Sequence, residues 1–283
     1  MIKANNTIFR FYLAMMDSFS EYLSEKHPEN SSIDDTKHYQ TVIINKIVRM
    51  FHSLDFFIDN SQDEVSARCL LRGILDSVTT YCFIYRRTDV NDMLFRHFLF
   101  ALDGLREYKK SVIPITVEIE NKNKVDYACD CVIKQIEEKL RNHPFYVKCN
   151  TTAESLIRNA NWKYESLQNS RSIKFEAMYA AIGFDVKSIG FYQGFLSQFA
   201  HGLCLSNKLA ANSEQMKRVL YECIPIADKF TQTITQTFQD KGMMTFFISS
   251  DIIQSFLSSK DFDVDNLLDF AKGLIRKDKL ILI

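Results

Sequence analysis

Glycine and proline are scarce in this chain, at 8 and 4 of 283 residues. A sandwich or barrel needs turn residues about every ten positions, and twelve cannot supply them. No Gly-rich loop follows a strand-like run, so neither a Rossmann fold nor a P-loop is expected. What remains is helix. The sequence predicts an all-α multi-helix bundle of about ten helices, in a single domain with a charged helical arm around residues 115–150.

Apolar residues recur at three- and four-residue steps along nearly the whole chain. The pattern predicts helices over Asn6 to Glu25, from Asp34 or Asp35 to Asp59 with Val42, Ile43, Ile47, Met50, Leu54 and Phe57 inward, over Gln62 to Arg86, and over Val90 to Lys110. Pro114 closes that last region. From Glu118 to Arg141 charged residues dominate around a thin stripe of Val125, Ala128, Cys129, Val132, Ile136 and Leu140, which reads as a solvent-facing helix or a projecting hairpin arm. Thr151 with Glu154 reads as a capping box, and Ser166, Asn169, Ser170 and Ser172 as a polar loop. A short helix from Ile173 to Ile182 stops at Gly183, and Asp185 caps the next one. A helix from Ser213 to Asp240 should kink or split at Pro225. Two more helices and an apolar tail, Leu280 to Ile283, complete the chain.

Two stretches hold polar residues that look placed rather than merely solvated. In Ser66 to Arg87, the strip Arg68, Arg72 and Asp76 runs at i, i+4 and i+8 beside a broad apolar face. In Ser188 to Leu205, one face carries Phe191, Tyr192, Phe195, Leu196, Phe199 and Leu203, while Gln193, Ser197 and His201 line another. If the strips face each other, Asp76 could orient the His201 imidazole and the arginines could bind an anion. Two structural readings stay open beside this. The strip could be a solvated face with an i,i+4 pair worth ~0.3 kcal/mol, or a buried polar cluster that fixes helix register without chemistry.

The 35 basic and 35 acidic residues balance, which excludes bulk electrostatic attraction to nucleic acid and leaves a local patch open. Seven cysteines lack a framework spacing, and Cys69, Cys82 and Cys204 fall in apolar helical segments as reduced thiols do. We therefore expect a cytoplasmic protein. The N-terminus lacks the features of a signal peptide. The apolar window Met243 to Leu257 is broken by Asp251, and no membrane span is expected. Cys129 and Cys131, with His143 and Cys149, could be drawn as a zinc site. On a helix, however, residues two apart lie about 200° apart, so neither metal nor cofactor is expected. His97 reads as a helix-surface residue.

Leu71-Arg72-Gly73-Ile74-Leu75-Asp76, the lone Trp162, and the run Tyr192, Ser197, His201, Gly202 resemble an uncharacterised family of bacterial all-helical proteins, over roughly Val65 to Leu205. The arrangement is also distantly similar to HEPN domains, many of which are metal-independent ribonucleases of toxin and antiviral systems that act as dimers through an Arg-x(4–6)-His pair. The resemblance implies that His201 handles a 2′-hydroxyl proton while an arginine stabilises the phosphorane. The positions for that arginine hold Leu196, Phe195 and Gly194, so Arg68 or Arg72 would have to replace it through space. The expectation is a defence-type or toxin-like protein with Arg72, Asp76, Ser197 and His201 at its centre, acting on RNA. The rival is a non-enzymatic interaction module binding a partner protein. With 23 Phe and 12 Tyr, the aromatic content points to a homo-oligomer.

Overall fold

In the computed structural model, residues 2–28, 32–61, 63–116, 119–201 and 213–238 are described. The fold they form is all-α except for one two-stranded hairpin. The helices are α1 (Ile2–Lys26), α2 (Thr36–Phe56), α3 (Glu64–Tyr85), α4 (Val90–Glu107), α5 (Ile113–Thr116), α6 (Ile119–Arg141), α7 (Pro144–Lys148), α8 (Asn150–Arg158), α9 (Phe175–Ala181), α10 (Val186–Ala200) and α11 (Ser213–Thr237). The helices expected beyond Asp240, the apolar tail and Leu203 to Leu205 lie outside the described residues. Packing divides the chain into two compact units, Met1–Cys82 with Ile182–Ile283 and Phe83–Ala181, and the division falls inside α3.

In the first unit, α1 packs on both α2 and α11. Its core is aromatic. Phe51 stacks on Phe230 at 6.2 Å, Tyr81 meets Phe230 edge-on at 5.7 Å, and Phe9 lies 6.3 Å from Phe51. Tyr12 donates from this core to Asp228 at 2.8 Å. On α11 the expected inward set, Met216, Val219, Leu220, Cys223, Ile226, Phe230 and Ile234, is buried. Pro225 does not split α11. On α2 the inward face is Ile44, Ile47, Val48, Phe51 and Leu54, while Val42 is half exposed. Of the expected inward set Ile47 and Leu54 are buried and Ile43, Met50 and Phe57 half-buried; Gln40 and Thr41 are buried instead, with the Thr41 hydroxyl donating to the Lys37 carbonyl.

In the second unit α6 lies along α4, with Cys129, Ile136 and Leu140 buried beneath its charged outer face. Arg106–Glu137 ties the two helices together, and Lys109, in the turn that follows α4, pairs with Asp130 of α6. Arg106 also donates to the carbonyls of Ile157 and Arg158, which satisfies the end of α8. Pro114 does not close the region; it sits in α5 after a π-turn over Tyr108–Val112. Thr151 is not a cap either. Cys149 precedes α8, Asn150 accepts the Thr151 N–H, and Glu154 pairs with Arg141. The expected polar loop contains β1 (Tyr164–Ser166) and β2 (Asn169–Ser172), joined by two residues. Gly183 adopts φ +83°, the left-handed conformation a glycine stop requires.

His97 is wholly buried rather than on the surface, and its Nδ1 meets the Tyr85 hydroxyl at 2.9 Å. A second buried histidine, His143, opens α7 in an extended conformation, its Nδ1 accepting the Phe145 N–H at 3.2 Å. An imidazole accepting at Nδ1 is neutral. Burial holds its pKa below the ordinary 6.5, with Asp89 opposing. The unfolded chain therefore takes up this proton first. His143's contribution is intact above the unfolded value and is lost as pH falls from there toward the depressed folded value. We expect urea unfolding to show stability falling as the pH drops below about 6.5. His143→Asn, which keeps a cap acceptor, should have a shallower fall, and His143→Ala should cost about 1 kcal/mol at pH 8. An unchanged slope in the Asn variant would refute the assignment.

Candidate functional site

The candidate site lies wholly in the first unit, on α3, α10 and α11. Helix α3 is fixed at its start by Asp63, whose carboxylate accepts the Ser66 N–H at 3.1 Å and is held below its usual pKa by hydrogen bonds from the Ser66 side chain and backbone. From there Glu64, Arg68, Arg72 and Asp76 climb one strip of the helix at four-residue steps. The strip changes character along its length. Glu64 and Arg68 are 1% exposed, whereas the Arg72 and Asp76 side chains are 14% and 34% exposed.

Arg68 is the anchor. Its Nε donates to Glu64 at 2.6 Å and its Nη1 to Glu222 of α11 at 2.6 Å. Its guanidinium carbon sits 4.7 Å from the Phe195 ring centre and 5.3 Å from that of Phe199, both on α10. The π faces attract the cation where water is excluded, and the carboxylates neutralise it. Tyr192 of α10 donates to the same Glu222 oxygen at 3.0 Å. Burial pushes the Tyr192 phenol well above its ordinary pKa, with the Glu222 charge adding to this, so the proton stays on the phenol. One guanidinium thus joins three helices.

One turn further along α3, Arg72 pairs with Asp76 and its Nε donates to Ser197 Oγ at 3.3 Å. The Ser197 hydroxyl donates in turn to the Gln193 carbonyl at 2.9 Å. That hydroxyl proton is engaged with backbone, so Ser197 serves Arg72 as an acceptor and is not poised as a nucleophile. His201 follows the last residue of α10; its backbone N–H bonds to the Ser197 carbonyl at 3.1 Å and its side chain is exposed. The imidazole makes no hydrogen bond or ion pair to a described residue, and Asp76 is engaged with Arg72 rather than with His201. The structure therefore brings Arg72, Asp76 and Ser197 into contact, and places His201 one helical turn beyond Ser197 on the same face of α10. Gly202 lies outside the described residues.

Glu64 and Glu222 were not picked out from the sequence, and Tyr192 was read as part of an apolar face and of the resemblance run, not as a partner of Glu222. Glu64 continues the Arg68/Arg72/Asp76 strip one step back, a signal that could have been read. Glu222 gives none, since it is one acid among the polar residues of α11. No cluster of three or more His, Cys, Asp or Glu able to hold a metal occurs among the described residues. Among the described residues, no helix is long and apolar enough to cross a membrane. Compared with protein-family models, curated proteins and solved structures, the chain matches none.

The two arginines are expected to differ in energetic weight. Arg68→Ala leaves Glu64 buried without its cation, and urea unfolding should show a loss of about 3–5 kcal/mol. Arg72→Ala removes a partly exposed pair and should lose about 1 kcal/mol or less. Equal losses would refute the ranking.

Proposed function

We propose that this chain is a metal-independent, HEPN-like ribonuclease of the defence or toxin type, with His201 and Arg72 as its working pair. The observation that supports this is the Arg72–Ser197 hydrogen bond, which puts an arginine from α3 on the turn of α10 preceding His201. The Arg-x(4–6)-His spacing is missing along the sequence, and in this reading the contact stands in for it through space. Arg68 cannot play that part, because two carboxylates already engage it in the core.

The chemistry follows from those roles. His201 takes the 2′-hydroxyl proton as that oxygen attacks the adjacent phosphorus. Arg72 stabilises the extra charge on the phosphorane oxygens. The P–O5′ bond breaks, the leaving oxygen takes a proton from water, and the products are a 2′,3′-cyclic phosphate and a 5′-hydroxyl. Asp76 holds the Arg72 side chain, and Ser197 sets its position against α10. Exposed Phe56, Val65 and Tyr221 in the same unit supply apolar surface for a second copy, as the homodimer in this reading requires.

A second reading is favoured by one specific observation, the full neutralisation of Arg68 in the core. Clusters of this kind fix helix register without doing chemistry, and the chain would then be an interaction module for a partner protein. One experiment separates the two. Labelled total RNA and transfer RNA are incubated with the purified protein in EDTA. The ribonuclease reading expects cleavage leaving cyclic phosphate ends, lost in folded His201→Ala and reduced about 10²-fold or more in Arg72→Ala. No cleavage by the wild type, or cleavage undiminished in His201→Ala, would leave the interaction module as the better account.

A further inference from the structure

The second unit contains an arginine whose hydrogen-bonding capacity is largely unused. Arg87, just past the end of α3, lies over Phe83 with its guanidinium carbon 4.4 Å from the ring centre, and Nε donates to the Phe83 carbonyl at 2.8 Å. Its Nη1 and Nη2 donate to no described residue, and the side chain is 26% exposed. Arg96 shares the same ring at 4.8 Å but is spent. It contacts both Asp92 oxygens at 3.1 Å, donates to the carbonyls of Trp162 and Tyr164, and lies 3.7 Å from the Tyr164 ring centre. Among the described residues the carboxylate paired with both arginines is Asp92, which also accepts the Tyr164 hydroxyl at 2.6 Å and stands 3.6 Å from Arg87 Nε. Two cations face one anion in a half-buried setting.

From this geometry we propose that Arg87 binds a phosphate oxyanion through its outward Nη1/Nη2 fork. Three features support it. First, stacking and the Phe83 carbonyl already fix the guanidinium, so little side-chain freedom is lost on binding. Second, the charged group is one anion short. The Arg87 pKa is lowered by burial and by the charge of Arg96, with Asp92 and Tyr164 opposing, so an added anion would relieve a real electrostatic cost. Third, a phosphate carries up to two charges near neutral pH and presents oxygens that match the fork, so it compensates the excess better than a single carboxylate. The start of α4 is not the binding element, because Asp89 already accepts the Asn91 N–H there. The phosphate is free or part of an RNA backbone; Phe83 and Trp162 are buried and do not offer a base a face to stack on. The site belongs to the second unit and shares no residue with the His201 site, and its test does not depend on ribonuclease activity.

Thermal unfolding of the full chain in phosphate and in chloride at equal ionic strength tests this directly. The midpoint is expected to rise by about 2–4 °C in phosphate. The readout is this increment, so a lower starting midpoint in a variant does not obscure it. Arg87→Ala should lose the increment, and Arg87→Lys, which keeps the charge without the fork, should retain about half or less; the Lys variant also serves if the Ala variant does not fold. A short RNA that raises the midpoint at concentrations where inorganic phosphate has no effect would support a backbone phosphate, and an effect of inorganic phosphate alone would support a free one. No increment in the wild type, an equal increment in Arg87→Ala, or an equal effect of glutamate would each overturn the proposal.

Discussion

Everything at the candidate site depends on Arg68 being charged in a place without water. An isolated guanidinium there would carry a solvation cost of several kcal/mol, so its partners are obligatory. They come from three helices: Glu64 on its own, Glu222 on α11, and the faces of Phe195 and Phe199 on α10. An apolar contact tolerates sliding, because dispersion has no direction. A guanidinium fork does not tolerate it, because a shift of α10 by one residue would rotate Phe195, Phe199 and Tyr192 away together. The register of α10 therefore follows from Arg68. With the register set, Ser197 comes to Arg72 and His201 follows one turn on.

The second unit solves a similar problem with a different balance. Arg96 is as buried as Arg68 and is also stacked on aromatic rings. It has one carboxylate, Asp92, and two backbone carbonyls as acceptors. Those carbonyls flank Lys163 just at the start of the hairpin, so Arg96 ties a segment with poor strand propensity to α4. Trp162 adds a second tie by donating to Asp103 at 3.0 Å. This explains why a run as polar as Glu165 to Ser172 is ordered enough to pair. The hairpin is held by α4 rather than by its own sequence.

This contrast also shows what was legible in the sequence. The helices were, because the 3.6-residue period of buried residues on α1, α3, α4 and α11 is strong and glycine and proline rarely interrupt it. The strip of Arg68, Arg72 and Asp76 was legible as spacing. Its meaning was not, because Glu222 lies 154 residues from Arg68 and nothing local marks it as the partner. His97 was misread for the same reason: next to a charged residue on a helix it looks exposed, and the Tyr85 hydroxyl that it meets in the core lies on another helix. The hairpin was invisible because its cause, Arg96, lies far from it in sequence. Local periodicity reports which face is apolar; it does not report where a buried charge finds its counterion.

The ribonuclease reading must also withstand the electrostatics of its own location. His201 sits at the carboxyl end of α10, where the helix dipole disfavours an approaching phosphate by about 0.3–1 kcal/mol. In addition, a phosphate that takes Arg72 has to displace Asp76, an i,i+4 partner on a partly exposed strip worth about 0.3–0.5 kcal/mol. Against these stands a charge-assisted hydrogen bond from Arg72 to a phosphate oxygen, worth about 1.5–3 kcal/mol. The exchange favours the phosphate, but by a margin that vanishes without the arginine. In that reading Arg72 is what makes the end of α10 usable by an anion at all, and Asp76 keeps the guanidinium in position until the anion arrives.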